Sequence, residues 1–371
     1  MKIVFAAGGT GGHINPALAV AGELRRRDPK TEILFIGTAN HMESRLVPAA
    51  GFAFQTIEIA GFQRKPTPQN IVKNIKTVGL LLKSTGAVKK ILSDFAPDVA
   101  VGFGGYVSGP VVRTAAKMGI KTAIHEQNAY PGVTNKALAK KADKVMLTVE
   151  AAKAHLSCPT PPIVTGLPVR REIVSANRDF ARAELHVPDD AVMILSMGGS
   201  LGAKAINEAM TALIAARYTD KNLFFLHATG KYGKWVPEKL REYGVDLEKV
   251  SNVEIREYID NMDVCLAAAD LVIGRAGASS LSEIEATGKA SVLIPSPNVA
   301  ENHQYHNAMA LVNQDAAKII EEKDLTPERL IAVVDSLTQD KSALRTLGEN
   351  AKKMAVMDSA AVICDILTEL A

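Results

Sequence analysis

Two glycine-rich turns, one near the start of each half of the chain, limit the fold more than any other feature. The first, Gly8-Gly9-Thr10-Gly11-Gly12-His13, follows the apolar run Ile3 to Ala7. The second, Gly198-Gly199-Ser200-Leu201-Gly202-Ala203, follows Val192 to Met197. Each joins an expected buried strand to an expected helix, which leaves backbone N–H groups at a helix N-terminus, where anions bind. Two such units predict two Rossmann-like domains facing a shared cleft, and therefore two substrates. Either loop taken alone is also explained by tight strand-to-helix packing.

The rest of the pattern agrees with an α/β reading. Short apolar runs at Lys2–Ala7, Glu32–Gly37, Phe54–Ile59, Val99–Gly102, Thr122–His125 and Lys144–Leu147 alternate with helical stretches, as do Met193–Ser196, Leu223–Thr229, Val253–Arg256, Leu271–Ile273 and Ser291–Ile294. Continuous rather than alternating hydrophobicity marks strands buried on both faces, as in parallel sheets. The Pro-rich stretch Ser157-Cys158-Pro159-Thr160-Pro161-Pro162 is the expected domain boundary, because proline resists helix and central-strand pairing. The expected division is 1–162, 163–354 and a terminal helix over 355–371. A 371-residue chain of 47% hydrophobic residues has enough material for two cores.

Charge and cysteine usage narrow the function. A net charge of +3 gives no general argument for nucleic acid. Three dispersed cysteines without CxxC spacing argue against a disulfide framework and a structural zinc site. The N-terminus runs straight into a strand with no signal peptide, and no run of about 18 apolar residues spans a membrane. The expected compartment is cytoplasmic.

Further groups belong on the ligand-binding rim of the two sheets. The turn Gly102-Phe103-Gly104-Gly105-Tyr106-Val107-Ser108-Gly109-Pro110 follows one strand, and His125-Glu126-Gln127-Asn128 follows the next. His13 stands where it could accept a proton at neutral pH or cap a helix. Glu126 and Asn128 fit sugar contacts or loop bracing equally well. In the second half, Gly274 to Glu283 combines small residues and serines at a strand-to-helix junction. Glu283 suits a ribose diol, or an acid in the first turn of a helix. His303 and His306 are spaced i, i+3, but no third metal ligand is evident, and no DxD motif is present. Neither half carries the acid that would hold an adenosine ribose in a dinucleotide site. Between Ile59 and Ser93 there is no acid, while Arg64, Lys65, Lys73, Lys76, Lys83, Lys89 and Lys90 accompany an apolar stripe of Ile71, Ile75, Val78 and Leu82. Such a segment is either core with a solvated basic face or a contact for anionic lipid.

Taken in order, the first turn, Gly104 to Pro110, His125 to Asn128, Gly198 to Ser200, Gly277-Ala278 with Ser282-Glu283, and Gln304-Tyr305 with Asn307 resemble the MurG family. These bacterial transferases add N-acetylglucosamine to undecaprenyl-diphospho-muramoyl-pentapeptide (lipid I), making lipid II. The resemblance spans the whole chain. It implies a GT-B fold, with two Rossmann-like domains and a C-terminal helix crossing back to the first. It implies that Arg170 and Ser200 contact the nucleotide and its phosphates and that Ile259 offers backbone groups to uracil. Ala278, Ser279, Ser280, Leu281 and Ser282 would line the diphosphate and sugar, with Glu283 on the ribose and Gln304 on the sugar hydroxyls. Thr10, Gly11, Gly12 and Asn128 would lie near the sugar and acceptor, with Gly104, Gly105 and Tyr106 as the acceptor-side loop. His13 is the leading candidate for general base, with Glu126 the alternative. No cofactor or metal is implied. The implied location is peripheral, at the cytoplasmic face of the bacterial plasma membrane, through segment 64–90, with cell-wall synthesis proteins as further partners. A UDP-GlcNAc 2-epimerase on the same architecture, or a non-catalytic nucleotide- or lipid-binding protein, is the competing reading.

Overall fold

The computed structural model describes residues 1–59 and 83–371. They form two compact units, Met1–Val169 with Val356–Ala371, and Arg170–Ala355. In the first unit the strands are β1 (Lys2–Ala6), β2 (Glu32–Gly37), β3 (Ala53–Thr56), β4 (Val99–Gly102), β5 (Lys121–Glu126), β6 (Lys144–Leu147) and β7 (Ile163–Val164). Their order is β3-β2-β1-β4-β5-β6-β7, with every pairing parallel. Ile3, Val4, Phe5 and Ala6 are fully buried, which explains why β1 reads as an unbroken apolar run. Phe5 stacks on Phe35 and Phe103 at 5.0 and 5.9 Å between ring centroids.

Helix Gly11–Arg27 lays Ile14, Ala17, Val20, Ala21 and Leu24 against this sheet. The last helix, Ser359–Leu370, covers the same cluster with Ile363, Cys364, Ile366 and Leu367. Each buried Ile or Leu contributes roughly 1.5–3 kcal/mol by leaving water, so the C-terminal helix is an integral part of the first unit. This is the crossing-back helix of the α/β, GT-B reading. A helix over residues 83–95 buries Val88, Ile91 and Leu92 on the other sheet face, while Lys89 and Lys90 stay at the surface. That part of the basic segment therefore has its apolar stripe in a core. Arg64, Lys65, Lys73, Lys76 and the stripe Ile71 to Leu82 lie outside the described residues.

The second unit carries β8 (Val192–Met197), β9 (Leu223–Ala228), β10 (Val253–Arg256), β11 (Leu271–Gly274), β12 (Ala290–Leu293) and β13 (Lys318–Ile319). Their order is β10-β9-β8-β11-β12-β13, again all parallel. Three details depart from the sequence expectations. The third strand ends at Thr56 rather than Ile59. The Pro-rich stretch 157–162 leads into β7, which pairs with β6 in the first sheet. The terminal helix starts at Ser359 rather than 355, after a non-helical stretch at 355–358 where the chain passes from one unit to the other.

In each sheet the strand order reverses beside the first strand, between β1 and β4 and between β8 and β11. Loops at the C-terminal ends of strands flanking such a reversal diverge and leave a crevice, the usual ligand position in open α/β sheets. All the glycine-rich turns fall there.

Candidate active site

In the first unit the turn after β1 and the turn after β4 touch backbone to backbone. A Cβ on Gly105, whose φ is +75°, would lie 2.3 Å from the Gly8 carbonyl oxygen. A Cβ on Gly104, at φ +96°, would lie 2.6 Å from His13 Nδ1. Only glycine fits both conditions, so the Gly104-Gly105 pair leaves room for the His13 ring. The helix that His13 enters starts after Thr10 with no acid in its first turn and no side-chain cap. Thr10 supplies its carbonyl to the N–H groups of His13 and Ile14.

His13 Nδ1 is 3.0 Å from Gln127 Oε1. Gln127 Nε2 in turn donates to the Phe103 carbonyl at 2.8 Å and the His125 carbonyl at 3.0 Å, and lies 3.2 Å from His125 Nδ1. His125 Nε2 is 2.9 Å from the Gly166 carbonyl. Burial pushes the His125 pKa down to about 4, against the pull of that carbonyl, so the ring is neutral at pH 7. Tyr106 is half-buried, with its hydroxyl 3.1 Å from His41 Nε2, and burial raises its pKa.

Glu126 is almost fully buried and accepts four hydrogen bonds. Asn128 N and Nδ2 reach Oε1 at 2.9 and 3.2 Å, and Gly132 N and Asn135 Nδ2 reach Oε2 at 3.1 and 2.8 Å. This carboxylate shapes the loop that presents Asn128. Sequence reasoning passed over Glu43, which is completely buried after β2. It accepts from Gly9 N and Thr38 N, both at 3.1 Å, and from the Thr38 hydroxyl at 2.6 Å. An acid near the end of the second strand gave no periodic signal. Its role shows only when β2 is placed beside β1. Gln127 was visible within its motif but carried no assigned role.

The second unit positions its turns differently. A Cβ on Gly230 (φ +70°) would lie 2.0 Å from Gly202 N, and one on Gly202 (φ +82°) 2.1 Å from the Thr229 carbonyl oxygen. The turn holding Ser200 and Leu201 is pinned by main-chain bonds, Lys231 N to Ser200 O and Tyr232 N to Leu201 O. Both Ser200 and Leu201 are exposed. Helix Ala278–Thr287 begins after Gly277 with no side-chain cap and no acid in its first turn. Glu283 stands in the second turn, not the first. Leu281 and Ser282 are buried, so at those two positions the side chains turn into the unit.

Arg170 Nη2 lies 3.9 Å from Glu283 Oε1. Among the described residues, Arg170 Nε is buried without a hydrogen-bond acceptor. Burial lifts the Glu283 pKa to about 7, partly offset by Arg170. Ile259 is buried, and no hydrogen bond among the described residues engages its N–H or carbonyl. Gln304 Oε1 accepts from Ser296 N at 2.9 Å, and Asn307 Nδ2 donates to the Ala276 carbonyl at 3.3 Å. The helix His303–Val312 is thereby tied to the turn after β11. Among the described residues no cluster of three or more His, Cys, Asp or Glu side chains could hold a metal ion.

Two family models match the chain. The glycosyltransferase family 28 N-terminal domain matches residues 3–147, and the family 28 C-terminal domain matches residues 193–363. The chain belongs to glycosyltransferase family 28. Within family 28, the chain is 40% identical to an Acetivibrio thermocellus protein over 371 residues, covering 100% of the chain and 98% of that relative. It is 42% identical to a Desulforamulus reducens protein over 355 residues, covering 95% and 94%. Both relatives are named UDP-N-acetylglucosamine–N-acetylmuramyl-(pentapeptide) pyrophosphoryl-undecaprenol N-acetylglucosamine transferase, which puts this family 28 chain in the MurG group. The crystal structure of Acinetobacter baumannii MurG superposes with a TM-score of 0.76 at 28% identity, covering 99% of both chains. UDP-GlcNAc 2-epimerase from Neisseria meningitidis, bound to UDP-GlcNAc, superposes at 0.68 and 14% identity over 100% of both chains, a likeness of fold alone.

Proposed function

We propose that this chain transfers N-acetylglucosamine from UDP-GlcNAc to the 4-hydroxyl of the N-acetylmuramoyl sugar of lipid I, forming lipid II. The observation that carries this reading is full-length identity of 40–42% to relatives named for that transfer. The local chemistry agrees with it. In the second unit, the Ile259 N–H and carbonyl match the acceptor and donor that uracil presents at its edge. Glu283 accepts from the ribose hydroxyls, and Arg170 faces the phosphates. The N–H groups at Ala278 to Ser280, with Ser200 and its turn, surround the diphosphate, and no acid in the first helical turn opposes that charge. Gln304, held by Ser296 N, meets the sugar hydroxyls.

The reaction is an inverting displacement. His13 Nε2 takes the proton of the 4-hydroxyl. The hydroxyl oxygen bonds to the anomeric carbon while the bond from that carbon to the β-phosphate oxygen breaks. UDP departs with the electron pair, stabilised by the helix dipole and N–H groups. Thr10, Gly11, Gly12 and Asn128 line the acceptor side, with Gly104, Gly105 and Tyr106 beside them. Glu126, with four donors on its carboxylate, braces the loop, which leaves His13 as the base. Among the described residues no helix is long and apolar enough to cross a membrane. We place the protein peripherally on the cytoplasmic face, with segment 64–90 against anionic lipid and cell-wall synthesis proteins as neighbours.

The test is a transfer assay with UDP-GlcNAc and a short-chain lipid I analogue, with and without a chelator. Disaccharide formation and UDP release that depend on the acceptor are expected. Conversion of UDP-GlcNAc alone to UDP-ManNAc would replace this reading with an epimerase, and absence of both products with a binding protein.

A further inference from the structure

The hydrogen bonds around Gln127 have only one consistent direction. The Gln127 Nε2 position contacts two main-chain carbonyls, of Phe103 and His125. Carbonyl oxygens accept only, so that atom must be the amide nitrogen, and the atom 3.0 Å from His13 must be the amide oxygen. His125 is fixed in the same way. Its Nε2 faces the Gly166 carbonyl and therefore carries the hydrogen, which leaves Nδ1 as an acceptor toward Gln127. An amide oxygen cannot donate, so His13 Nδ1 must carry the hydrogen between them. The neutral His13 ring then has its lone pair on Nε2. We infer that Gln127 is a positioning residue: held by the Phe103 and His125 carbonyls, with the His125 ring fixed in turn by the Gly166 carbonyl, it sets the His13 tautomer so that Nε2 accepts a proton.

The inference rests on the reading of His13 as base and deepens it. In water the neutral imidazole prefers its hydrogen on Nε2, the tautomer that cannot accept a proton there. A base at this place needs a partner that reverses the preference, as a carboxylate or carbonyl does on other catalytic histidines. Gln127 does so without a second charge. Its own orientation is over-determined by the buried carbonyls, and the His13 ring occupies the space that a Cβ on Gly104 would take, 2.6 Å from Nδ1 and 2.8 Å from Cε1. The last acceptor, Gly166, is itself locked. Its φ is +71°, and a Cβ there would lie 2.4 Å from Ser359 Oγ and 2.5 Å from Val356 Cβ.

The experiment reads the tautomer directly. The protein is labelled with 15N-histidine, and the His13 signals among eight histidines are assigned by their loss in His13→Ala. Above the titration of His13, the wild type should show a protonated Nδ1 and a pyridine-like Nε2. Gln127→Leu should return His13 to the Nε2–H form and lower kcat by about tenfold or more, with the KM for UDP-GlcNAc little changed. Gln127→Glu keeps an acceptor oxygen beside Nδ1, while its second oxygen faces the Phe103 and His125 carbonyls and holds a proton toward them, so the side chain is neutral. It should retain the Nδ1–H form and most of the wild-type kcat. A role in packing alone would leave the tautomer unmoved in Gln127→Leu. An Nε2–H tautomer in the wild type overturns the inference, as does unchanged tautomer and kcat in Gln127→Leu. Should the variants fail to fold, the wild-type spectrum decides by itself. Near-normal turnover in His13→Ala would instead remove His13 as base while leaving the tautomer readable, so the two failures are distinguishable.

Discussion

The two glycine-rich turns start from the same topology and are held differently. After β1, where Gly8 abuts Gly105 backbone to backbone, buried side chains add the anchoring: Glu43 takes the Gly9 N–H, and Gln127 takes the His13 ring. After β8, main chain holds main chain, with Gly202 against Thr229 and Gly230. The first arrangement delivers an oriented titratable group and suits proton transfer. The second delivers N–H groups with no charge of their own and suits an anion. A shared fold therefore does not imply a shared task, because the task depends on what anchors each turn.

The contrast can be broken at several points. The largest effect is expected from Gly230→Ala, where positive φ and a Cβ 2.0 Å from Gly202 N leave no relaxed solution. It should cost more than about 3 kcal/mol and abolish cooperative folding of the second unit, whereas Gly199→Ala, with open space around it, should cost about 1–2 kcal/mol. Thermal unfolding followed by circular dichroism separates them, and equal losses would remove the main-chain pinning argument. Next comes His13→Ala, expected to lower kcat by about 10²- to 10⁴-fold with UDP-GlcNAc affinity retained. A binding defect instead would erase the division of labour between the turns.

Smaller and opposite in kind is Glu283→Gln, which should weaken UDP affinity by about tenfold, measured by calorimetry. Because the Glu283 pKa is about 7, wild-type affinity should fall as pH drops from about 8 to about 6, as the carboxylate gains a proton and loses an acceptor pair. The Gln variant should show a flat profile, and a parallel slope in both would assign the titration elsewhere. The smallest effect concerns Glu285, whose pKa burial raises to about 8. The folded state binds this proton more tightly than the unfolded chain does. The stabilisation is therefore complete below the ordinary carboxylate pKa and lost as pH rises through about 8. Glu285→Gln should raise Tm by a few degrees above that pH and change little near pH 5. No difference between the two pH values would mean that Glu285 is solvated.

Much of this was legible in the chain because burial on both sheet faces writes itself as continuous apolar runs, and because glycine is required where φ is positive. β1, β4, β8 and β11 and the turns after them were placed from those signals alone. The short strands β7 and β13 were not, since two residues make no period. The sequence also located His13, Glu126 and Glu283 as candidates, with His13 ahead of Glu126 as base. What anchors each of them needed the folded chain: four donors on Glu126 from the loop after it, a carboxyl of Glu43 under Gly9, and an amide of Gln127 beside His13.

What the sequence by itself determined was the pair of parallel α/β units, the turns at their strand ends and the kind of groups those turns carry, because backbone sterics and hydrophobic burial act locally along the chain. Only the tertiary structure decided which side chains of the final helix fill the first core, that Glu126 is spent on a loop, and which nitrogen of His13 holds the proton. The first and last join segments more than a hundred residues apart, the second closes on the loop directly after β5, and the hydrogen-bond direction exists only once β1, β4 and β5 stand side by side.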